Sequence, residues 1–98
     1  MEKLSILQWN IRGLINNYLM LRKLLLDSKA QIICVQETNF KENFHKKLKK
    51  FHCYFKNRIN AEKASGGVAI YVYETLHTRE IPIISNLEVI AVEIILNK

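Results

Sequence analysis

Proline is almost missing from this chain, one residue in 98, and glycine supplies only three more. With hydrophobic residues at 49%, that scarcity excludes a linker or a disordered tail and marks globular sequence. No apolar run approaches the length of a membrane span, and Met1-Glu2-Lys3 leads straight into a strand pattern with no small-residue cleavage site. Neither a membrane anchor nor a secretory leader is expected. The two cysteines, Cys34 and Cys53, form no CxxC and have no paired histidine nearby, so the spacing of a zinc site is absent. Cys34 lies within an apolar run and reads as a small buried hydrophobe, a reduced thiol suited to an intracellular compartment. Acids are also scarce, nine against fifteen Lys and Arg, giving a formal charge of +6 and a pI near 9.5. Such a balance favours anionic partners, nucleic acid or a phosphorylated surface, and is silent on fold.

What is present fits one small domain, and a chain of this length buries only part of its surface unless something completes the core. Leu4 to Trp9 is apolar on both alternating faces, as in a strand inside a layered structure. It breaks at Asn10-Ile11-Arg12-Gly13, where Asn and Gly tolerate the angles of a tight turn. From about Asn16 the spacing predicts a helix capped by Asn16 or Asn17, carrying Leu14, Tyr18, Leu21, Leu24 and Leu25 on one face and ending near Ser28-Lys29. Gln31 to Gln36 is the next strand. A strand, helix and strand of this length pair in parallel, so both strands end at the same edge of the sheet. That edge would hold Asn10 and Glu37 together, a place where open sheets carry ligands and where a divalent cation can sit.

Between Phe40 and Arg58 the chain turns basic, with Lys41, Lys46, Lys47, Lys49, Lys50, Lys56 and Arg58 against the single acid Glu42. A short helix over Glu42 to Lys49 would turn Phe44 and Leu48 inward and the lysines outward. Those lysines are either a solvated face or a phosphate-facing rim giving salt-sensitive attraction to nucleic acid. His45 and His52, in or beside this run, are not expected to be catalytic. His52 to Lys56 alternates as a strand, and Arg58 to Ser65 is a polar connection. Val68 to Tyr73 is a strong β run, launched by Gly66-Gly67, whose role is backbone geometry. Thr78 to Ile84 is a further strand with Pro82 at an edge or bulge, and Leu87 to Leu96 a long apolar one.

The series LQWNIRGL, IICVQET, SGGVAIYV and LEVIAVEI, taken together and in this order, resembles the opening of the endonuclease/exonuclease/phosphatase family. The likeness is nearest to the apurinic-type endonuclease domain that opens non-long-terminal-repeat retrotransposon proteins of the jockey kind. It covers all 98 residues. The resemblance implies an α/β fold, the N-terminal half of a four-layer α/β sandwich, truncated here to residues 1–98 of a partial domain. It also implies cleavage of a DNA phosphodiester with Mg²⁺ or Mn²⁺ in the complete domain. On that pattern Glu37 is the principal metal ligand, and Asn10 lies beside the metal and the scissile phosphate, both as catalytic residues. A hard cation of this kind prefers oxygen ligands, and Mg²⁺ is commonly held by one or two carboxylates with phosphate and water. Further implied are a C-terminal reverse transcriptase in the parent protein, a nuclear site of action and no membrane. No oligomeric state is implied.

Two departures qualify the resemblance. Apurinic-type repair enzymes carry Asp two residues after the motif Asn; here Arg12 stands there, either touching phosphate or in solvent, and many retrotransposon relatives also lack that Asp. The sequence also stops before the family's tyrosine-containing strand, its Asp-x-Asn segment and its closing Asp-His pair. Those groups orient the attacking water and assist the leaving group, so the expectation is a fragment without appreciable activity alone. The apolar strands at 68–73 and 87–96 would then show a bare face or edge. Two alternatives stay open: a phosphoesterase of the same fold acting on an inositol phosphate or phospholipid headgroup, and a non-catalytic basic remnant holding nucleic acid through 41–58.

Overall fold

A computed structural model describes residues 3–41, 43–59 and 65–96. Seven elements follow in order: β1 (Ile6–Asn10), α1 (Tyr18–Ser28), β2 (Ile32–Gln36), β3 (Phe51–Lys56), β4 (Val68–Tyr73), β5 (His77–Ile81) and β6 (Ala91–Ile95). Four strands form one sheet in the order β1-β2-β4-β3, and β5 and β6 pair separately. β1 and β2 are parallel, in a register that sets Asn10 beside Gln36. β4 runs antiparallel to both β2 and β3.

The register separates the two faces of the sheet. Leu7, Ile33, Tyr71 and Cys53 stand in one row across it, and Trp9, Val35, Ala69 and Phe55 in the next. This face meets the helix: Leu14, Leu21, Ile33, Tyr71, Phe40 and Leu48 are all buried there. The leucine stripe of α1 thus packs as its spacing dictates. On the opposite face Tyr54 hydrogen-bonds Thr78 of β5 at 2.7 Å, and the Lys56 ammonium donates to the carbonyls of Ser85 and Leu87 at 2.7 and 2.6 Å. Helix, four-stranded sheet and two-stranded sheet are three layers of a sandwich. Among the described residues no helix is long and apolar enough to cross a membrane.

Several boundaries differ from the sequence reading. The helix begins at Tyr18, with Asn17 at the N-cap position but its side-chain oxygen accepting no cap bond; its amide nitrogen reaches back to the carbonyls of Ile11 and Gly13 at 2.9 and 3.1 Å. It serves the turn instead of the helix. Glu42 lies outside the described residues, and 43–49 is not helical. The reason is that its carbonyls are taken by distant donors, Phe44 by the Asn57 amide at 2.8 Å and Lys46 by the Tyr71 hydroxyl. A short run crowded with lysines offers little to compete with those bonds. Phe44 consequently stays 49% exposed, edge-on to Phe40, and only Leu48 turns inward.

β5 stops at Ile81, because Pro82 cannot donate to a ladder. β6 starts at Ala91, not at residue 87, since Glu88 is drawn onto Gly67 and Arg58 and the Leu87 carbonyl onto Lys56. β4 is not bare: it lies between β2 and β3, with Val72 fully buried. The open surfaces are elsewhere. Ile6 on the edge strand β1 is 62% exposed, although its strand was read as interior, and Leu87, Ile95 and Leu96 around β6 are also exposed.

Candidate functional site

The ladder between β1 and β2 does not stop where the strands do. Ile11 N–H donates to the Gln36 carbonyl at 3.0 Å, Gly13 to Glu37 at 2.8 Å and Leu14 to Thr38 at 3.0 Å. The two loops leaving the sheet are therefore joined residue by residue. A third loop joins them from β4, with Thr38 N–H donating to the Gly67 carbonyl at 3.3 Å and Asn39 N–H to Gly66 at 2.8 Å. Three chain segments meet at one mouth.

At that mouth the Asn10 side-chain amide donates to a Glu37 carboxylate oxygen at 2.8 Å. A carboxylate only accepts, which fixes the amide nitrogen as the donor and leaves the Asn10 carbonyl oxygen for another partner. Both residues are exposed. Glu37, Arg12 and Asn39 all have positive φ, 54°, 50° and 57°, a conformation that costs a residue with a Cβ roughly 1–2 kcal/mol. Such a cluster of strained backbone is held in place by the surrounding hydrogen bonds and is typical of functional sites.

Gly66 and Gly67 make this mouth possible. A Cβ on Gly67, at φ 90°, would lie 2.7 Å from the Thr38 hydroxyl, and one on Gly66 would meet the Arg58 guanidinium at 2.5 Å. Thr38 itself is buried, its hydroxyl directed at the Gly66 carbonyl. Behind the glycines stands Glu88, whose carboxylate accepts from Gly67 N–H and from Arg58 Nε, the latter at 2.8 Å. The Gly67 amide, and after it Arg58, hold this carboxyl below the usual carboxylate range. Sequence reading placed Glu88 on one face of a strand and missed this brace. No short motif announces it, because its partners lie 21 and 30 residues away.

A lowered carboxyl pKa fixes the sign of its effect. The stabilisation is complete above the ordinary glutamate value of about 4.3 and is lost as pH falls through the lower folded value. Glu88→Gln should therefore destabilise the protein at pH 7, and the difference between the two proteins should shrink as pH falls below the ordinary glutamate range. Urea unfolding at pH 7 and in acid measures this; an undiminished difference in acid would remove the charge from the account.

The other sequence candidates scatter. Arg12 and Lys41 are exposed on the loops that follow β1 and β2. Lys46 has its ammonium 4.8 Å above the Tyr18 ring, Lys47 is exposed, and Lys49 and Lys50 lie just before β3, at the far end of the sheet. Among the described residues no single basic rim surrounds Glu37. His45 stacks on Phe55 at 4.4 Å, and His52 stands level with Ile32, at the end of β2 away from Glu37. Burial pushes the Cys53 thiol up to about 11 and raises Cys34 as well, so neither is a ready nucleophile.

As a metal site the arrangement supplies hard oxygen donors, the Glu37 carboxylate and the Asn10 carbonyl, which suit part of a Mg²⁺ or Mn²⁺ shell. Among the described residues no group of three His, Cys, Asp or Glu converges. Among the described residues one carboxylate and one amide are offered, and a bound cation would complete its shell with water, phosphate or further groups.

Against solved structures the chain matches an AP endonuclease from Archaeoglobus fulgidus with a TM-score of 0.54 and 23% identity, over 71% of this chain and 27% of that one. A 3'-5' exonuclease, NExo, from Neisseria meningitidis matches with a TM-score of 0.52 and 24% identity, over 68% and 26%. The chain carries part of the endonuclease/exonuclease/phosphatase fold. A substituted form of the 3' phosphatase NExo from Neisseria, solved with a product DNA hairpin, matches with a TM-score of 0.56 and 22% identity over 80% of this chain. It too is matched over a minority of its length, 32%, so the chain spans about a third or less of each structure. No family model and no curated protein matches the sequence.

Proposed function

We propose that this chain is the metal-facing N-terminal portion of a divalent-metal-dependent DNA phosphodiesterase, and that by itself it does not cut. The observation that carries the reading is the Asn10–Glu37 hydrogen bond at the shared end of two parallel strands, on a fold held in common with solved DNA-processing enzymes. Glu37 and Asn10 would hold Mg²⁺ or Mn²⁺, which when bound polarises the phosphoryl group and steadies the leaving oxygen. Asn10 orients the carboxylate through its amide and keeps its own oxygen turned to the ligand. Arg12, two residues on, would meet substrate phosphate. The family resemblance adds the finer reading that the parent is a retrotransposon protein with a reverse transcriptase, acting in the nucleus.

The isolated chain, incubated with supercoiled plasmid and Mg²⁺ or Mn²⁺, should give no nicking above background, because beside Asn10 and Glu37 no further acid or histidine converges among the described residues to activate water. It should nevertheless bind the metal. Mn²⁺ titrated into the labelled chain should broaden the amide resonances of residues 10–13 and 36–39, and Glu37→Ala should abolish that broadening. Plasmid relaxation lost on Glu37→Ala would overturn the inactivity; broadening confined to other residues would overturn the metal assignment.

A further inference from the structure

At the end of the sheet opposite Glu37, α1 and the chain leading into β3 enclose a groove of about 600 Å³, within the usual size of ligand pockets. Its placement follows from the register: Phe51 opens β3 beside Tyr73, and Tyr73 N–H donates to Gln31, which precedes β2. β2 has five residues, so the groove lies roughly 17 Å from Glu37. It is a separate surface.

We propose that this groove binds single-stranded nucleic acid, one unpaired base entering against its aromatic floor while the flanking phosphates meet its cationic rim. Tyr18, Phe51 and Tyr73 supply the rings, and Arg22, Lys29 and Lys49 the charges. Among the described residues no carboxylate lines it. Among the described residues the ion pairs are Lys23–Asp27, Arg58–Glu88 and Arg79–Glu93, so none of the three rim cations is neutralised by a salt bridge. The Lys46 ammonium over Tyr18 adds a fourth positive charge beside the groove.

Magnitudes favour an anion. The carboxyl end of α1, which closes at Lys29, contributes about half a negative charge. That offsets only a fraction of three full cations. Base stacking on aromatic side chains contributes about 1–3 kcal/mol per base and tolerates any base, whereas an acidic peptide would gain little from three rings in place of a purely aliphatic cleft. A duplex keeps its bases stacked inside and presents nothing flat to a concave site, so the strand must be single. Of the lysines at 46–50, read from sequence as either a solvated face or a phosphate-facing rim, Lys49 lines the groove and Lys46 stands beside it.

The proposal does not depend on the phosphodiesterase reading, and it is tested with Glu37 intact or replaced. The probe is a short fluorescein-labelled oligothymidylate, followed by anisotropy over a salt series. Arg22→Gln with Lys49→Gln should weaken binding at least about tenfold at low salt. The slope of log affinity on log salt should also shrink by about 1.4, two lost phosphate contacts at about 0.7 each. Lys23→Gln with Arg79→Gln removes the same charge away from the groove and should change affinity less than about twofold. Tyr18→Leu, which keeps the helix face apolar, should weaken binding without changing the slope.

Equal losses from both double substitutions would overturn the groove as the site. So would binding of a leucine- and glutamate-rich peptide there while the oligonucleotide fails to bind. Glu37→Ala failing to bind Mn²⁺ while still binding the oligonucleotide through the groove separates the two sites, and loss of oligonucleotide binding on Glu37→Ala would overturn their independence.

Discussion

Gly67→Ala should destabilise the protein by about 3 kcal/mol, read as a fall in the urea midpoint at unchanged slope. Two effects add. A Cβ at φ 90° is conformationally strained by about 1–2 kcal/mol, and the new methyl would sit 2.7 Å from the Thr38 hydroxyl, an overpacking that costs about 1–3 kcal/mol. Thr38 cannot easily yield, because it is buried and its own N–H is bonded to the Gly67 carbonyl. The two contributions separate in a double-mutant cycle. Thr38→Ala removes the oxygen that the methyl strikes, so the pair of substitutions should be less damaging than the sum of the singles by about 1 kcal/mol or more. Strict additivity would show that the backbone angle alone is responsible. Because Thr38 follows Glu37 directly, Gly67→Ala should also weaken Mn²⁺ broadening at residues 36–39.

Tyr71→Ala should be costlier still, about 3–5 kcal/mol. The ring is fully buried in the middle of the central row, between Ile33 and Cys53, and packs beneath the helix. Its hydroxyl donates to the Lys46 carbonyl and so ties the 43–50 segment to the sheet. Burial, and next the neighbouring Cys53, push this phenol above its ordinary value. A domain of this size has on the order of 5–15 kcal/mol in total, so Tyr71→Ala should be largely unfolded at 37 °C by circular dichroism. Tyr71→Phe separates ring from hydroxyl. It should lose only about 1 kcal/mol, and hydrogen exchange should rise first around residues 44–50. A Phe variant as unstable as the Ala variant would assign the loss to the tie instead of the packing.

The parts of the fold visible in sequence are those where a local pattern and its tertiary partner agree. β1, β2 and β4 are short apolar runs with polar or glycine ends, and α1 repeats leucine at helical spacing over a sheet that needs covering. The meeting of Asn10 with Glu37 was legible for the same reason, since parallel neighbours end together whatever separates them in sequence. Failures occurred where a distant group decided. Residues 43–49 have helical spacing at Phe44 and Leu48, but Asn57 and Tyr71 claim their carbonyls. Leu87 to Ile90 alternates as a strand should, yet Glu88 is held by Gly67 and Arg58. The aromatic groove was invisible because its walls come from α1, the approach to β3 and the end of β4, none of which carries a motif alone.

The stitching of three loops by peptide hydrogen bonds has a consequence for selectivity. Closing the backbone of this mouth would require rupturing the sheet's own ladder. On the proposed reading, a ligand would therefore meet a preset backbone frame, and only the exposed side chains of Asn10, Arg12 and Glu37 would be free to adapt to it.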